Sequence, residues 1–275
     1  MSDFRMLVLD LDGTTLDATG ALRQGDRDAA RALIQAGVHV TIATGRLWSG
    51  AGWVADAFGV DGSVAVMNGT ELVDARSGRV TSGAYVDEEG RSLSRRVLAE
   101  LGLPAFLFRS RSIHFGRDAE RHAPYLTIWS RELVPHHDVF DAPHWDDEDV
   151  LAVCAVGDHG AIAEVEAALA PKLPPGLGLV SFDTFFGERF LQVMPSRWDK
   201  GTALRQLAQD RGLHPSQVVA VGDWINDVPM LQVAGLSLVT AHASAAVRAH
   251  AHDALEASRD GGAVAEVARR VWGVA

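Results

Sequence analysis

Residues 6–15 read MLVLDLDGTT. An apolar run from Met6 to Leu9 ends in Asp10, and Asp12, Gly13 and two threonines follow. Four consecutive apolar residues running into a polar loop read as a strand buried on both faces, the type found in parallel α/β sheets. Two carboxylates so close repel each other, and burial strengthens the repulsion. Asp, Gly and Thr are also ordinary turn residues. The decapeptide alone therefore leaves two readings, a turn or helix start and a site for a divalent cation.

The residues around it fix the fold class. Residues 26–36 read as a helix stopped by Gly37, with Ala29, Leu33, Ile34 and Ala36 available for an apolar face. VHVTIAT (38–44) is a second continuous strand, 47–58 a helix, and SVAVMN (63–68) a third strand. Residues 71–83 read as a hairpin turning at Ser77-Gly78. Three strands separated by helices predict a parallel sheet in an α/β fold. The rhythm changes over 84–190. That stretch offers a helix at 87–101, short strands at 105–109 and 111–115, and an irregular segment at 117–149. A strand (150–156), a helix (159–170) and a strand pair (177–193) follow. From Lys200 the α/β alternation returns, with helices at 199–211 and 226–234, strands at 217–223 and 235–239, and a last helical segment near 262–272. The expected architecture is a doubly wound, Rossmann-like parallel-sheet core, residues 1–83 and 191–275, interrupted by an inserted α+β domain, 84–190.

The composition bounds the function. The chain has 275 residues, 47% hydrophobic and 22% charged, which is ordinary for a globular protein. A net charge of −11 argues against nucleic acid or an anionic membrane as partner, since both are bound through surplus Lys and Arg. The single Cys154 leaves no internal disulfide, which suits a reducing cytoplasm. The first residues read as an early strand and not as a signal peptide, and no apolar run spans a bilayer. A cytoplasmic location is the expectation.

Four loops carry the chemistry: DLDGT (10–14), ATGR (43–46), DKG (199–201) and GDWIND (222–227). Three follow predicted strands, where open α/β sheets bind ligands, and Lys200 opens a helix whose N-terminus favours anions. Asp10, Asp12, Asp223 and Asp227 are too many carboxylates to coexist unshielded. Mg²⁺ is the natural guest, because it takes hard oxygen ligands and shares them with a substrate phosphate. Thr44 adds a hydroxyl and Lys200 a cation, and Gly13 and Gly45 let backbone N–H groups approach phosphate oxygens. These parts make a phosphoryl-transfer site.

With those residues in place, the chain resembles the haloacid dehalogenase-like (HAD) phosphatase superfamily. That family's D-x-D-G-T, strand-terminal Thr or Ser, helix-opening Lys and G-D-x-x-N-D appear in order as Asp10/Asp12, Thr44, Lys200, and Asp223/Asp227 with Asn226. The insertion resembles a C2-type cap, and GDWINDVPML (222–231) resembles the Cof-like subgroup. The resemblance implies that Asp10 is the nucleophile and forms an aspartyl-phosphate, a carboxylate being ionised at neutral pH without a base. It implies that Asp12 protonates the leaving oxygen and then deprotonates water. Mg²⁺ would be held by the Asp10 side chain, the Asp12 backbone carbonyl and Asp223, with Asp227 in support. Thr44 and Lys200 would hold phosphoryl oxygens, and Asn226 with the Asn68-Gly69 loop would complete the pocket. The expected activity is Mg²⁺-dependent hydrolysis of a small phosphorylated metabolite, with a sugar phosphate as the class. A phosphomutase on the same scaffold, or a non-catalytic phosphometabolite sensor, are the alternatives. VTAHAS (239–244) replaces the family's Met-Gly-Asn-Ala and leaves the role of His242 open.

Three further groups have two readings each. Trp48, Trp198 and Trp224 flank motif residues and either stack on a flat leaving group or pack between helices. Arg109, Arg111 and Arg117 either hold a substrate anion or are exposed strand-edge charge. His136, His137, Asp141 and His144 show no known zinc spacing beside the acidic DDED (146–149), and a solvated loop is expected there.

Overall fold

The computed structural model describes residues 3–274. The strands in chain order are β1 (Met6–Leu9), β2 (His39–Ile42), β3 (Ser63–Val66), β4 (Glu71–Asp74), β5 (Val80–Gly83), β6 (Ala105–Arg109) and β7 (Ile113–Gly116). They continue with β8 (Leu133–His136), β9 (Val150–Gly157), β10 (Leu177–Asp183), β11 (Arg189–Pro195), β12 (Val218–Gly222), β13 (Leu236–Val239) and β14 (Asp253–Ala254). The helices are α1 (Gln24–Gln35), α2 (Trp48–Phe58), α3 (Glu88–Leu101), α4 (Ala123–Leu126), α5 (His159–Leu169), α6 (Lys200–Gln209), α7 (Val228–Val233), α8 (Ala245–Arg248) and α9 (Ala263–Val267).

The chain divides into two compact units. The first comprises Met1–Gly45, Ala51–Gly83 and Trp198–Ala275, and the second Arg46–Gly50 and Ala84–Arg197. The boundary expected at 190/191 falls inside β11, whose pairing with both β9 and β10 keeps that strand whole in the second unit.

In the first unit a parallel sheet runs in the order β14-β13-β12-β1-β2. All four residues of β1 are buried, as an apolar run central in a parallel sheet requires. Met6 and Val8 pack with Leu204 and Leu207 of α6 and Met230 and Leu231 of α7. Leu9 is level with Val221 on one side and Ile42 on the other, so the loops after β1, β2 and β12 leave the sheet at one edge. The third predicted strand differs from expectation. β3 joins β4 and β5 in an antiparallel three-stranded sheet and meets the parallel sheet through the bridge Ala43 to Ala65 and the Thr41 hydroxyl, which donates to the Ser63 carbonyl at 2.6 Å. The hairpin of 71–83 captures it.

One buried carboxylate closes this unit. Asp26, in the first turn of α1 and 0% exposed, accepts hydrogen bonds from the backbone N–H of Gly262 (2.7 Å) and Ala265 (2.9 Å). The first turn of α9 thus gets its acceptor from a helix more than two hundred residues away, which its own glycine-rich entry cannot supply.

The second unit is a six-stranded sheet, β10-β11-β9-β6-β7-β8, antiparallel except between β7 and β8. α3 and α5 contribute Leu93, Val97, Leu98, Ile162, Val165 and Leu169 to its core. Each helix starts on an aspartate cap, Asp87 accepting from Gly90 N–H and Asp158 from Ala161 N–H, both at 2.8 Å. Phe106, Phe108 and Phe190 form an aromatic cluster with Tyr125 and Trp129. β8 lies inside the stretch expected to be irregular. Its sequence LVPH carries Pro135, which lacks a ladder donor, and the strand accordingly sits at the sheet edge.

Candidate active site

The three carboxylates Asp10, Asp223 and Asp227 are buried, and one oxygen of each lies within 4.8 Å of the others. Asp10 follows β1 and Asp223 follows β12, so the shared edge of adjacent parallel strands brings them together. Asp227 ends a single 3₁₀ turn, Ile225–Asp227. Its Oδ2 accepts from the backbone N–H groups of Asp223 and Trp224, each at 2.9 Å, which pins the loop around it.

Lys200 supplies the positive charge. It is fully buried at the start of α6 and donates to Asp10 Oδ1 at 2.5 Å and to Asp227 Oδ1 at 2.6 Å. A Cβ on Gly201 would stand 2.6 Å from the Pro229 carbonyl oxygen. Glycine therefore lets α6 approach α7 closely enough for Lys200 to reach both partners. Burial on its own lowers the Lys200 ammonium, but Asp10 and Asp227 outweigh it and hold the group raised and charged.

The electrostatics are lopsided, with three carboxylates around one ammonium. Burial pushes the Asp10 carboxyl well above its usual range; Lys200 opposes this, while Asp227, Asp223 and Asp12 add to it. Asp223 is raised for the same reasons, burial first and then Asp227, with Thr14 and His242 pulling it back. Further positive charge would favour Asp10 and Asp223 as carboxylates, and the hard oxygen donors of the cluster fit a divalent cation such as Mg²⁺.

The remaining predicted residues fall around this cluster. Thr14 donates to Asp223 Oδ1 at 2.9 Å, and Thr15 to the Asp10 carbonyl at 2.6 Å. Gly13 has φ +79°, and a Cβ there would stand 2.6 Å from Asp223 Oδ2, so the turn excludes any other residue. Asp12 is exposed, and its carboxylate is not one of the three in the buried cluster. Thr44 is fully buried two residues after β2, its N–H bonded to the Ala65 carbonyl and its carbonyl accepting from Asn68 N–H. A Cβ on Gly45 would lie 3.3 Å from Asn68 Oδ1. Met67 and Asn68 both take left-handed backbone angles, φ 46° and 56°, rare for residues with side chains. That turn aims Asn68 at Asn226, whose Nδ2 donates to Asn68 Oδ1 at 2.9 Å. The four motif loops therefore meet, and Asn68 joins them.

Two contacts go beyond the sequence reading. His242 Nε2 stands 3.1 Å from Asp223 Oδ2, so the departure VTAHAS places an imidazole on a carboxylate of the cluster. The Thr14 hydroxyl on Asp223 was legible only as part of D-x-D-G-T. Trp224 is 58% exposed, and Trp48 and Trp198 are half-buried. Arg109 pairs with Asp147 and Asp149 in the second unit, so its charge is met by these carboxylates. Arg111 and Arg117 are exposed.

Comparison with known proteins identifies the family. Residues 7–267 match the haloacid dehalogenase-like hydrolase family. An HMP-PP phosphatase of Yersinia pseudotuberculosis is 28% identical over 247 residues, covering 87% of this chain and 85% of the relative. An HMP-PP phosphatase of Cronobacter sakazakii is 28% identical over 243 residues, with the same coverage. A crystal structure of a haloacid dehalogenase-like hydrolase from Bacteroides thetaiotaomicron has the same fold, with a TM-score of 0.84 at 22% identity over 98% of this chain and all of that one. A second protein from that organism, described among the phosphatases of the HAD superfamily, gives a TM-score of 0.79 at 25% identity, covering 99% of this chain and 96% of that one. The chain is an enzyme of the haloacid dehalogenase-like hydrolase family, within its Cof-like branch.

Proposed function

We propose that this protein is a Mg²⁺-dependent phosphatase that cleaves a small phosphorylated metabolite through an aspartyl-phosphate on Asp10. The observation that carries the reading is the buried set of three carboxylates held against Lys200, which favours both a divalent cation and a phosphoryl group. Asp10, Asp223 and Asp227 would hold Mg²⁺, with the Asp12 backbone carbonyl. When bound, Mg²⁺ supplies Lewis-acid polarisation of a phosphoryl oxygen and offsets the carboxylates.

The chain's own residues have separate tasks. The Asp10 carboxylate attacks phosphorus, and the bond to the leaving oxygen breaks. Asp12, exposed and able to exchange protons with solvent, gives a proton to that oxygen. It then takes one from the water that splits the acyl-phosphate and returns Asp10. Lys200 positions Asp10 and, with Thr44, neutralises and orients phosphoryl oxygens. Asp227 keeps Lys200 and the 223–224 backbone in place, and Thr14 keeps Asp223. The second unit would be the C2-type cap. Sugar phosphates and the HMP-PP of the relatives' names are the first candidate substrates.

The test is phosphate release from a panel of phosphorylated metabolites containing both, with Mg²⁺ or with chelator, for wild type and Asp10→Asn. The expected result is Mg²⁺-dependent release that the variant loses. No release from any compound by folded, Mg²⁺-loaded wild type overturns the proposal.

A further inference from the structure

A second group of metal-type ligands lies wholly within the second unit. His114, His136 and His144 place one ring nitrogen each within 4.8 Å of the others. The fold, not the spacing, assembles them. In the parallel β7–β8 pair His114 is level with Val134, and His136 with Gly116. The two histidines therefore stand on the same face of the sheet, one step apart. His144 reaches them from the 3₁₀ turn Pro143–Asp146, its ring centroid 4.2 Å from that of His114 and 5.6 Å from that of His136. His137 and Asp141, read beside them in the sequence, are exposed and outside the group.

The hydrogen bonds assign each ring a direction. His114 Nε2 is 2.9 Å from the Ser112 hydroxyl, and its Nδ1 is 2.9 Å from His136 Nε2. His144 Nδ1 is 2.7 Å from Asp147 Oδ2. Arg109 Nη1 also lies 2.8 Å from that nitrogen and 3.0 Å from the Asp147 carboxylate, and its Nε donates to Asp149. Ser112 and Asp147 thus hold one nitrogen each of His114 and His144, while His114 Nδ1 faces His136 Nε2. A metal-binding histidine is held in just this way, its second nitrogen fixed by a carboxylate or hydroxyl.

We propose that His114, His136 and His144 form a metal site for a borderline-soft divalent ion of the Zn²⁺ type, distinct in place and in ligand chemistry from the carboxylate cluster. Three imidazole nitrogens select Zn²⁺, Co²⁺ or Ni²⁺ over Mg²⁺, which takes oxygen. His114 is 3% exposed and the His144 side chain 29%, so the site is buried on one side and open on the other. That leaves a fourth position for water or an exogenous ligand. The ion joins β7, the edge strand β8 and the 143–146 turn, and so fastens the least regular part of the second unit to its sheet.

The experiment titrates the full-length protein, freed of metal, with Zn²⁺ in saturating Mg²⁺, which occupies oxygen sites. Zinc binding is measured by calorimetry, and Co²⁺ is substituted for its visible absorption. One Zn²⁺ per chain is expected, weakened at least tenfold in His136→Gln and in His144→Gln but not in the exposed neighbour His137→Gln. Co²⁺ is expected to give tetrahedral-type bands that both variants lose. Wild-type protein gives an answer that does not depend on the variants folding: Zn²⁺ should move the ring ¹⁵N signals of three of the eleven histidines. No Zn²⁺ bound in the presence of Mg²⁺, binding unchanged in both variants, or unmoved histidine signals overturns the site.

Discussion

Replacing Lys200 with methionine isolates the charge that holds the carboxylate cluster together. The methionine stem keeps most of the lysine's packing, so little of the effect comes from a cavity. What is lost is an ammonium, 0% exposed, with two charge-assisted hydrogen bonds to Asp10 and Asp227. At about 1.5–3 kcal/mol each, the two bonds together amount to about 3–6 kcal/mol. Truncating one partner of a buried ion pair costs about 3–5 kcal/mol by a separate route, because the carboxylates stay behind uncompensated. Both routes place the loss at about 3–5 kcal/mol. At about 2–4 °C per kcal/mol for a unit of this size, the first unit's Tm should fall by about 6–20 °C. The assay is calorimetry in chelator at pH 7, following the transition that Mg²⁺ shifts in wild type. Mg²⁺ should then raise the variant's Tm by more than it raises wild type's, since the cation replaces the missing charge. Combining Lys200→Met with Asp227→Asn should cost less than the two single changes summed, because they share one interaction. A loss below about 1 kcal/mol, or strict additivity with Asp227→Asn, refutes the reasoning.

Two further outcomes test the frame around the sites. Asp26→Ala removes the acceptor of the Gly262 and Ala265 N–H groups and should cost about 2–4 kcal/mol in urea denaturation, whereas a loss under about 1 kcal/mol means those groups find other partners. Burial among Trp129, Phe185, Phe186 and Phe190 pushes the Tyr125 phenol up to about 12. Because the folded value lies above the unfolded value of about 10, the stability tied to the neutral phenol is whole below pH ~10 and is lost as pH rises through about 12. Alkaline difference spectra of wild type against Tyr125→Phe should show the extra phenolate near 12, and its appearance near 10 in folded protein contradicts the burial.

Adjacency and periodicity carried much of this protein's reading. The strand ending in Asp10, the two-face burial of MLVL, the glycine turn at Gly13 and the helix opening at Lys200 are local, so the stretch that contains them also reveals them. The chemistry of the four motif loops followed from residue type, since crowded carboxylates demand a cation wherever they meet. Only the tertiary structure decided which groups touch. Lys200 and Asp10 stand 190 positions apart, and parallel register with a close α6–α7 approach sets their contact. The same holds for β3, whose partners are chosen by a hairpin further along, and for Asn68, aimed by a left-handed turn. It holds most for the histidines. Their spacing of 22 and 8 positions matches no metal motif, because an edge strand carrying a proline and a single 3₁₀ turn bring them together. A chain records the chemistry of each side chain, while contact between distant ones depends on strand register and helix approach, which arise only when the whole sheet has formed.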